Sequence, residues 1–149
     1  MKTSVLIALL AILVLSACGG SSDVPTPDPT EALKSVAGEY FVQITAEDLQ
    51  RSGLTDPNLQ DALGLWEFTF TDDGRITGTR NGTYAGDARF GFIGHELNSI
   101  VDRCEDCGCE GRISRFSWAV DETQLVLKTI YDGCEAMNFI LTTKPLVRR

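Results

Sequence analysis

The sequence contains a single histidine, His95, which restricts the catalytic sites that the chain can form. A Ser-His-Asp arrangement would need this residue, but the chain has no G-x-S-x-G motif to place a serine nucleophile. His95 lies between Gly94 and Glu96, a combination that is typical of a surface turn. The carboxylate pair Asp72-Asp73 also lies in a turn sequence, where carboxylates are solvated. We therefore expect no catalytic residues and no enzyme activity.

Basic residues are scarce as well. The chain has 13 Lys and Arg residues against 21 Asp and Glu residues, and its formal net charge is −8. An acidic body of this kind is repelled by a phosphate backbone, which excludes nucleic acid as a partner. It also gains nothing from anionic lipid head groups, so we expect the folded part to stand away from a membrane surface.

The chain has only one long apolar run, and it lies near the start of the sequence. Residues 5–15 are continuously apolar, which is shorter than the roughly 20 residues that a membrane-spanning helix needs. Lys2 precedes this run and Ser-Ala-Cys follows it at positions 16–18, the layout of a signal peptide. Small residues before a cysteine resemble the lipobox of bacterial lipoproteins. That resemblance implies that Cys18 is lipidated and that residues 1–17 are removed.

The lipobox also implies a location. Acyl chains on the cysteine would hold the protein at a bacterial membrane, on its extracytoplasmic side. Gly19 stands where an aspartate is associated with inner-membrane retention in Gram-negative bacteria, so the outer membrane is expected in such an organism. Residues 18–35 are rich in Gly, Ser and Pro and predict a flexible tether, and residues 36–149 are predicted to be one folded domain. We expect a monomer in the cell envelope whose partner is the membrane.

The cysteine count agrees with export. Lipidation of Cys18 would leave four of the five cysteines, an even number suited to two disulfides in an oxidising compartment. Three of them lie within residues 104–109, and Cys134 is the fourth. Thiolates of this group, with Cys134 or His95, would suit a zinc ion, but exported cysteines are usually oxidised first and the chain has no second CxxC pair. We expect disulfides, with no bound metal and no cofactor.

A β-hairpin predicts how the cysteines pair. Period-two alternation indicates two antiparallel strands within residues 116–131, joined by a short polar loop. If the apolar residues of both strands share a face, Cys134 comes to lie opposite Cys109, within disulfide reach. This leaves Cys104 and Cys107 as the second pair. A redox role for that CxxC pair is an alternative, but nothing in the sequence places it at a helix N-terminus, which would lower a thiol pKa.

Between the tether and the hairpin, the sequence predicts strands and two short helices. Residues 38–45 alternate as a first strand. Thr45 and Asp48 suit a capping box that begins a short helix ending at Gly53, and Pro57 suits the first turn of a second helix. Further strands are predicted, separated mostly by short turns, at residues 65–71, 75–80, 83–93, 97–101 and 137–142.

These elements favour an all-β fold. About eight strands joined mostly by short turns indicate an antiparallel up-and-down barrel, because closing the sheet removes its exposed edges. Residues 143–149 are predicted to form a basic tail after the last strand.

The order and spacing of several short motifs resemble the lipocalin-like bacterial lipoproteins, which are small exported up-and-down β-barrels. The motifs are Gly-Glu-Tyr at 38–40, the helix segment 45–54, residues 66–74, Phe-Ser-Trp at 116–118, Asp-Gly-Cys at 132–134 and residues 141–145. The resemblance implies a fold and a location, with no established substrate.

Aromatic residues are the remaining candidates for a functional role. A barrel of about eight strands holds one small ligand or is filled by its own side chains, and both alternatives are open here. The two helices between the first strands occupy the position of the portal lid in fatty-acid-binding proteins. We therefore expect a small hydrophobic ligand in the barrel, or else a protein-binding module or inhibitor that uses the barrel loops. The aromatic residues expected to line the interior are Tyr40, Trp66, Phe68, Phe70, Phe90, Phe92, Phe116, Trp118 and Phe139.

Overall fold

A computed structural model of the protein describes residues 26–105 and 107–149. Within these residues, eight antiparallel strands follow one another around a closed barrel, and the last strand pairs with the first. This is the all-β up-and-down architecture that the sequence predicts. The strands are β1 Gly38–Ile44, β2 Gly64–Phe70, β3 Arg75–Arg80, β4 Thr83–Ile93, β5 Glu96–Cys104, β6 Ile113–Val120, β7 Gln124–Tyr131 and β8 Leu146–Arg148. The helices are α1 Pro29–Val36, α2 Ala46–Ser52, a 3₁₀ helix Pro57–Ala62 and α3 Glu135–Thr142.

Side-chain alternation explains how the strands build the core. In β1 the side chains of Tyr40, Val42 and Ile44 are buried, and their neighbours in sequence point outward. Trp66 and Phe68 of β2 lie directly opposite Val42 and Tyr40 and face the same way. The inward face of each strand therefore contributes to a single interior.

The strand directions sort the connections into two groups. Odd-numbered connections leave the barrel at one end, which we call the helical end: it carries α2 and the 3₁₀ helix, the turn at 81–82, the segment 105–112 and α3. The turns at 71–74, 94–95 and 121–123 lie at the opposite end, with α1. Residues far apart in sequence thus meet at the helical end.

Helix α1 corrects the expected length of the tether. The flexible segment was predicted to reach residue 35, but the chain is helical from Pro29, with Asp28 accepting hydrogen bonds from the backbone of the first turn. Ala32 and Val36 are buried against the barrel. The proline-rich composition concealed this helix because proline is favoured at a first helical position.

The last strand is also displaced from its predicted position. Residues 137–142 were predicted to form the closing strand, but they belong to α3, and Leu146–Arg148, within the predicted tail, closes the barrel. Four consecutive residues of α3, 138–141, are buried, which fits a helix packed against β7 and the 3₁₀ helix. A short apolar run does not distinguish a strand from a buried helix, and this is why the period-two interpretation was wrong.

In the β6–β7 hairpin the apolar residues of the two strands face the same side of the sheet, as predicted. Trp118 pairs with Leu127 and Val120 with Leu125, so the apolar residues of β6 and β7 share a face. A β-bulge shifts the register between Arg115 and Phe116, near the end that carries the cysteines.

Candidate functional site

The nine aromatic residues predicted to line the interior all contribute to the core. Phe92 and Trp118 are half-buried and pack against it. Phe139 reaches the core from α3, not from a strand as predicted. The other six lie on barrel strands, and the buried members of the whole set are Tyr40, Trp66, Phe68, Phe70, Phe90, Phe116 and Phe139.

These rings pack mainly against one another. The Phe70 ring lies 5.4 Å from the Tyr40 ring and 5.3 Å from the Phe90 ring, both in edge-to-face geometry. Trp66 and Phe68 are stacked, with their ring centroids 5.9 Å apart. Aromatic contacts of this kind fill space that a cargo molecule would need. Most of the interior is therefore a packed core.

Space for a ligand is found at the helical end. A cleft of about 700 Å³, the mouth cleft, opens between four connections that the topology brings together. Its walls are the 3₁₀ helix, the β3–β4 turn, Glu105 with residues 107–112, and the start of α3. The lining residues are Asp56, Leu59, Asp61, Ala62, Trp66, Arg80, Asn81, Thr83, Tyr84, Ala85, Glu105, Cys107, Gly108, Cys109, Arg112, Gly133, Cys134, Glu135, Ala136 and Ile140.

An apolar recess of about 60 Å³ adjoins the mouth cleft. Seven residues line both spaces and form the boundary between them: Trp66, Ala85, Glu105, Cys107, Cys134, Ala136 and Ile140. Below this boundary the recess is lined by apolar side chains that include Phe68, Ile76, Ala88 and Met137. The recess therefore connects the mouth cleft to two aromatic residues of the core, Trp66 and Phe68.

Hydrogen bonds fix the walls of the mouth cleft. Trp66 Nε1 donates to the carbonyl oxygen of Ala62 at 2.7 Å, which joins the 3₁₀ helix to the boundary tryptophan. Arg80 donates to the carbonyl oxygen of Asp61 and is 3.9 Å from the Asp61 carboxylate. The side chain of Asn81 accepts a hydrogen bond from the backbone of Leu65 at 2.9 Å.

Charged groups surround the mouth. Arg80 and Arg112 face it together with more numerous acidic residues, so the rim is acidic on balance, like the chain as a whole. The Tyr84 hydroxyl donates to Asp87, and this hydrogen bond is the main reason why the pKa of Tyr84 is raised. The acidic residues of the rim are Asp56, Asp61, Glu105 and Glu135.

An ion pair between the buried Asp48 carboxylate and the partly exposed Lys144 holds α2 in place at the helical end. Asp48 accepts hydrogen bonds from Thr45, as the predicted capping box requires, and also from Lys144 Nζ. Burial raises the pKa of the Asp48 carboxyl, but the hydrogen bonds from Lys144 and Thr45 outweigh that effect and bring the pKa to about 2. Lys144 also donates to the carbonyl oxygen of Gln43 at 3.0 Å, so the segment before β8 is tied to the end of β1 and to the first turn of α2.

The cysteines lie at disulfide distance in the expected pairs. The Cα atoms are 5.5 Å apart for Cys109 and Cys134, and 5.7 Å apart for Cys104 and Cys107. The predicted zinc alternative would need these sulfurs as free thiolates. His95, the alternative to Cys134 as the fourth ligand, is exposed in the β4–β5 turn, at the opposite end of the barrel from the cysteines.

A second surface lies outside the barrel beside the cysteines. Ile113, Ile130 and Tyr131 are about half exposed at the adjacent ends of β6 and β7. A groove of about 460 Å³ runs past Ile113 and Tyr131 and is bordered by Arg112 and Arg115. We call these three apolar residues the hairpin patch.

The comparisons with known proteins leave the family open: no protein-family model matches the chain, and no curated protein or solved structure matches it. Within the part of the chain that the structure describes, the helices are too short to cross a bilayer. The predicted lipidation site, Cys18, and the predicted signal peptide lie outside the described residues.

Sequence reasoning missed the charged and small residues that form the mouth cleft. Arg80, Glu105 and Arg112 each lie in or beside a turn, where charge is usually no more than a solvated surface. The available signal was topological. In an up-and-down barrel the first, third, fifth and seventh connections between strands lie at the same end. In this chain they are the three longer connections and the Asn81-Gly82 turn, so the sequence already indicated which loops would meet.

Proposed function

We propose that the protein is a non-enzymatic binding protein of the bacterial cell envelope, anchored through a lipid on Cys18, and that it holds a small molecule in the mouth cleft. We place it with the lipocalin-like lipoproteins. The observation that carries the proposal is the pairing of a cleft of about 700 Å³ with an apolar recess. Ligand sites in proteins commonly have this size and combine apolar walls with a few polar groups.

The chemistry of the two spaces favours an amphipathic ligand. The recess between Trp66, Met137 and Ile140 suits a small apolar group, since each CH₂ buried there contributes about 0.8 kcal/mol. The acidic rim disfavours an anionic ligand and suits a neutral or cationic polar part. Because the rings of the core fill most of the barrel, only part of the ligand enters it.

Mass spectrometry of the native protein tests the proposal. The lipidated protein is purified from its own membrane in mild detergent, and small molecules released on denaturation are identified. A stoichiometric neutral or cationic compound with an apolar group is expected. Recovery of none from folded protein, or of bulk membrane lipid alone in the same proportions as the surrounding membrane, contradicts it.

The anchor is tested separately. Cys18→Ser is expected to release the protein into the aqueous fraction or to leave an unprocessed precursor, because the acyl chains provide the membrane attachment. Fractionation followed by mass measurement of the N-terminus distinguishes these forms. Normal processing with full membrane retention would contradict lipidation at Cys18.

The hairpin patch supports a second candidate function, a protein-binding module. Its three apolar side chains are about half exposed at the adjacent ends of β6 and β7, and an exposed apolar surface favours a protein contact. A photocrosslinking amino acid at Ile130 is expected to trap a partner of defined mass in the cell envelope. The matched control is Ile93, which is 72% exposed at the opposite end of the barrel. Identical crosslinking patterns at both positions would contradict a specific partner.

A further inference from the structure

One disulfide lies directly against the other at the mouth cleft. The sulfur atoms of Cys107, Cys109 and Cys134 all lie within 4.8 Å of one another. Cys107 is bonded to Cys104, and Cys109 is bonded to Cys134. Thiol–disulfide exchange needs an attacking sulfur close to a disulfide sulfur, and this arrangement provides one.

A single glycine separates the two disulfides in sequence. Gly108 separates Cys107 from Cys109 and has a φ of +63°, in the left-handed region that glycine adopts without strain. A Cβ atom at this position would meet nothing within 4 Å, so the space beside the residue is open. The Cys107 and Cys109 sulfurs already lie within 4.8 Å of each other, and bond formation requires them to close the remaining gap.

The fourth cysteine is placed as a leaving group. Cys134 is the N-cap of α3, and its sulfur accepts a hydrogen bond from the backbone N–H of Met137 at 3.4 Å. The N-terminus of a helix stabilises negative charge and lowers the pKa of a thiol. A sulfur that leaves as a stabilised thiolate leaves faster.

We propose that these four cysteines form a thiol–disulfide exchange site in which Cys107 transfers the bond. An external dithiol first reduces the Cys104–Cys107 bond, is itself oxidised to a disulfide, and leaves both cysteines as thiols. The Cys107 thiolate then attacks Cys109 Sγ. The Cys107–Cys109 bond forms, the Cys109–Cys134 bond breaks, and the electron pair passes to Cys134 as its thiolate. This second step exchanges one disulfide for another without net oxidation.

The exchange acts on the wall of the mouth cleft. The Cys109–Cys134 bond joins the segment before β6 to the first turn of α3, and both border the cleft. Moving the bond onto Cys107 unties α3 from that segment. The site therefore accepts reducing equivalents from a dithiol and loosens one side of the cleft, whether or not the cleft binds a ligand.

Two single substitutions in the full chain test the transfer. Cys104→Ala leaves Cys107 as a free thiol beside the second disulfide, and Cys107→Ala is the matched control that leaves Cys104 free instead. After incubation of the folded proteins near pH 8, free thiols are trapped with N-ethylmaleimide and located by tandem mass spectrometry. We expect at least about tenfold more label on Cys134 in Cys104→Ala than in Cys107→Ala, together with a Cys107–Cys109 linkage.

The other outcomes decide against the proposal. Label confined to Cys107 in Cys104→Ala overturns the transfer, and label on Cys109 in place of Cys134 overturns the assignment of the leaving group. The unmodified chain provides a test that does not depend on how the variants fold. One equivalent of dithiothreitol should leave label on Cys104 and Cys134, whereas label restricted to Cys104 and Cys107 again overturns the transfer.

Discussion

At the scale of single residues, an arginine in β8 and a tyrosine in β1 join the last strand of the barrel to the first. The Arg148 guanidinium lies 5.2 Å from the centre of the Tyr40 ring and donates to the Tyr40 hydroxyl at 2.6 Å and to the carbonyl oxygen of Ser35 at 2.8 Å. The same hydroxyl donates to the carbonyl oxygen of Val36 at 2.8 Å. One buried group therefore fixes α1, β1 and β8 together.

Removing that hydroxyl is expected to destabilise the fold. Tyr40→Phe leaves the carbonyl oxygen of Val36 without its donor, which costs about 1–3 kcal/mol in the free energy of unfolding. Urea denaturation measures the loss. Tyr131→Phe is the matched control, because Tyr131 is 52% exposed, and its stability should change by less than about 0.5 kcal/mol. Equal losses in both variants would contradict the role given to Tyr40.

A second residue makes the stability depend on pH. The pKa of Asp48 is about 2 in the folded protein, below its ordinary value of 3.8, so its carboxylate stabilises the fold above about pH 4. That contribution is lost as the pH falls from about 4 to about 2. Asp48→Asn should cost about 1–2 kcal/mol at pH 6, a value reduced by the partial exposure of Lys144.

Comparing wild type with Asp48→Asn separates the contribution of Asp48 from that of the other carboxyl groups, because those groups are the same in both proteins. The difference in unfolding free energy between wild type and Asp48→Asn should shrink as the pH approaches 2, because the native carboxyl becomes protonated. A difference that stays constant from pH 6 to pH 2 would show that the ion pair with Lys144 does not contribute.

At the scale of elements, the strands were predictable wherever alternation was clear. Residues such as Tyr40 and Val42 in β1 specify the buried face locally, and Thr45 and Asp48 specify the start of α2. The end of the chain was not predictable in this way, because its apolar residues are adjacent and fit a helix as well as a strand. What decides in favour of α3 is tertiary packing against β7 and the 3₁₀ helix, together with the cap provided by Cys134.

The Cys109–Cys134 disulfide at the start of α3 is expected to contribute more to the free energy of unfolding than the Cys104–Cys107 disulfide. Cys109 and Cys134 are 25 residues apart in sequence, whereas Cys104 and Cys107 are three apart. By loop-closure entropy, the double variant Cys109→Ala/Cys134→Ala should lose about 3 kcal/mol, and Cys104→Ala/Cys107→Ala about 2 kcal/mol or less. Thermal unfolding of both double variants measures the order, and the reverse order would contradict this assignment.

At the scale of the whole molecule, the position of the mouth cleft follows from the order of the strands. Cys109, Asn81 and Leu59 belong to three different connections, and no local pattern links them. Strand direction alone places those connections at one end, where α3 and the 3₁₀ helix leave the cleft between them. Its shape could not be predicted, because it depends on α3 standing where a strand was expected.

The most direct test of the account is a binding titration with a cleft-filling variant. Ala136 lines both the mouth cleft and the recess, and Ala136→Phe adds a ring where the ligand's apolar group would lie. Ala119→Phe adds the same ring on the exposed outer face of β6. With the neutral fluorescent probe N-phenyl-1-naphthylamine, we expect wild type and Ala119→Phe to bind alike and Ala136→Phe to bind at least about tenfold more weakly, a change of about 1.4 kcal/mol. Equal binding by all three proteins, or no binding by the folded wild type, would contradict a ligand site in the mouth cleft.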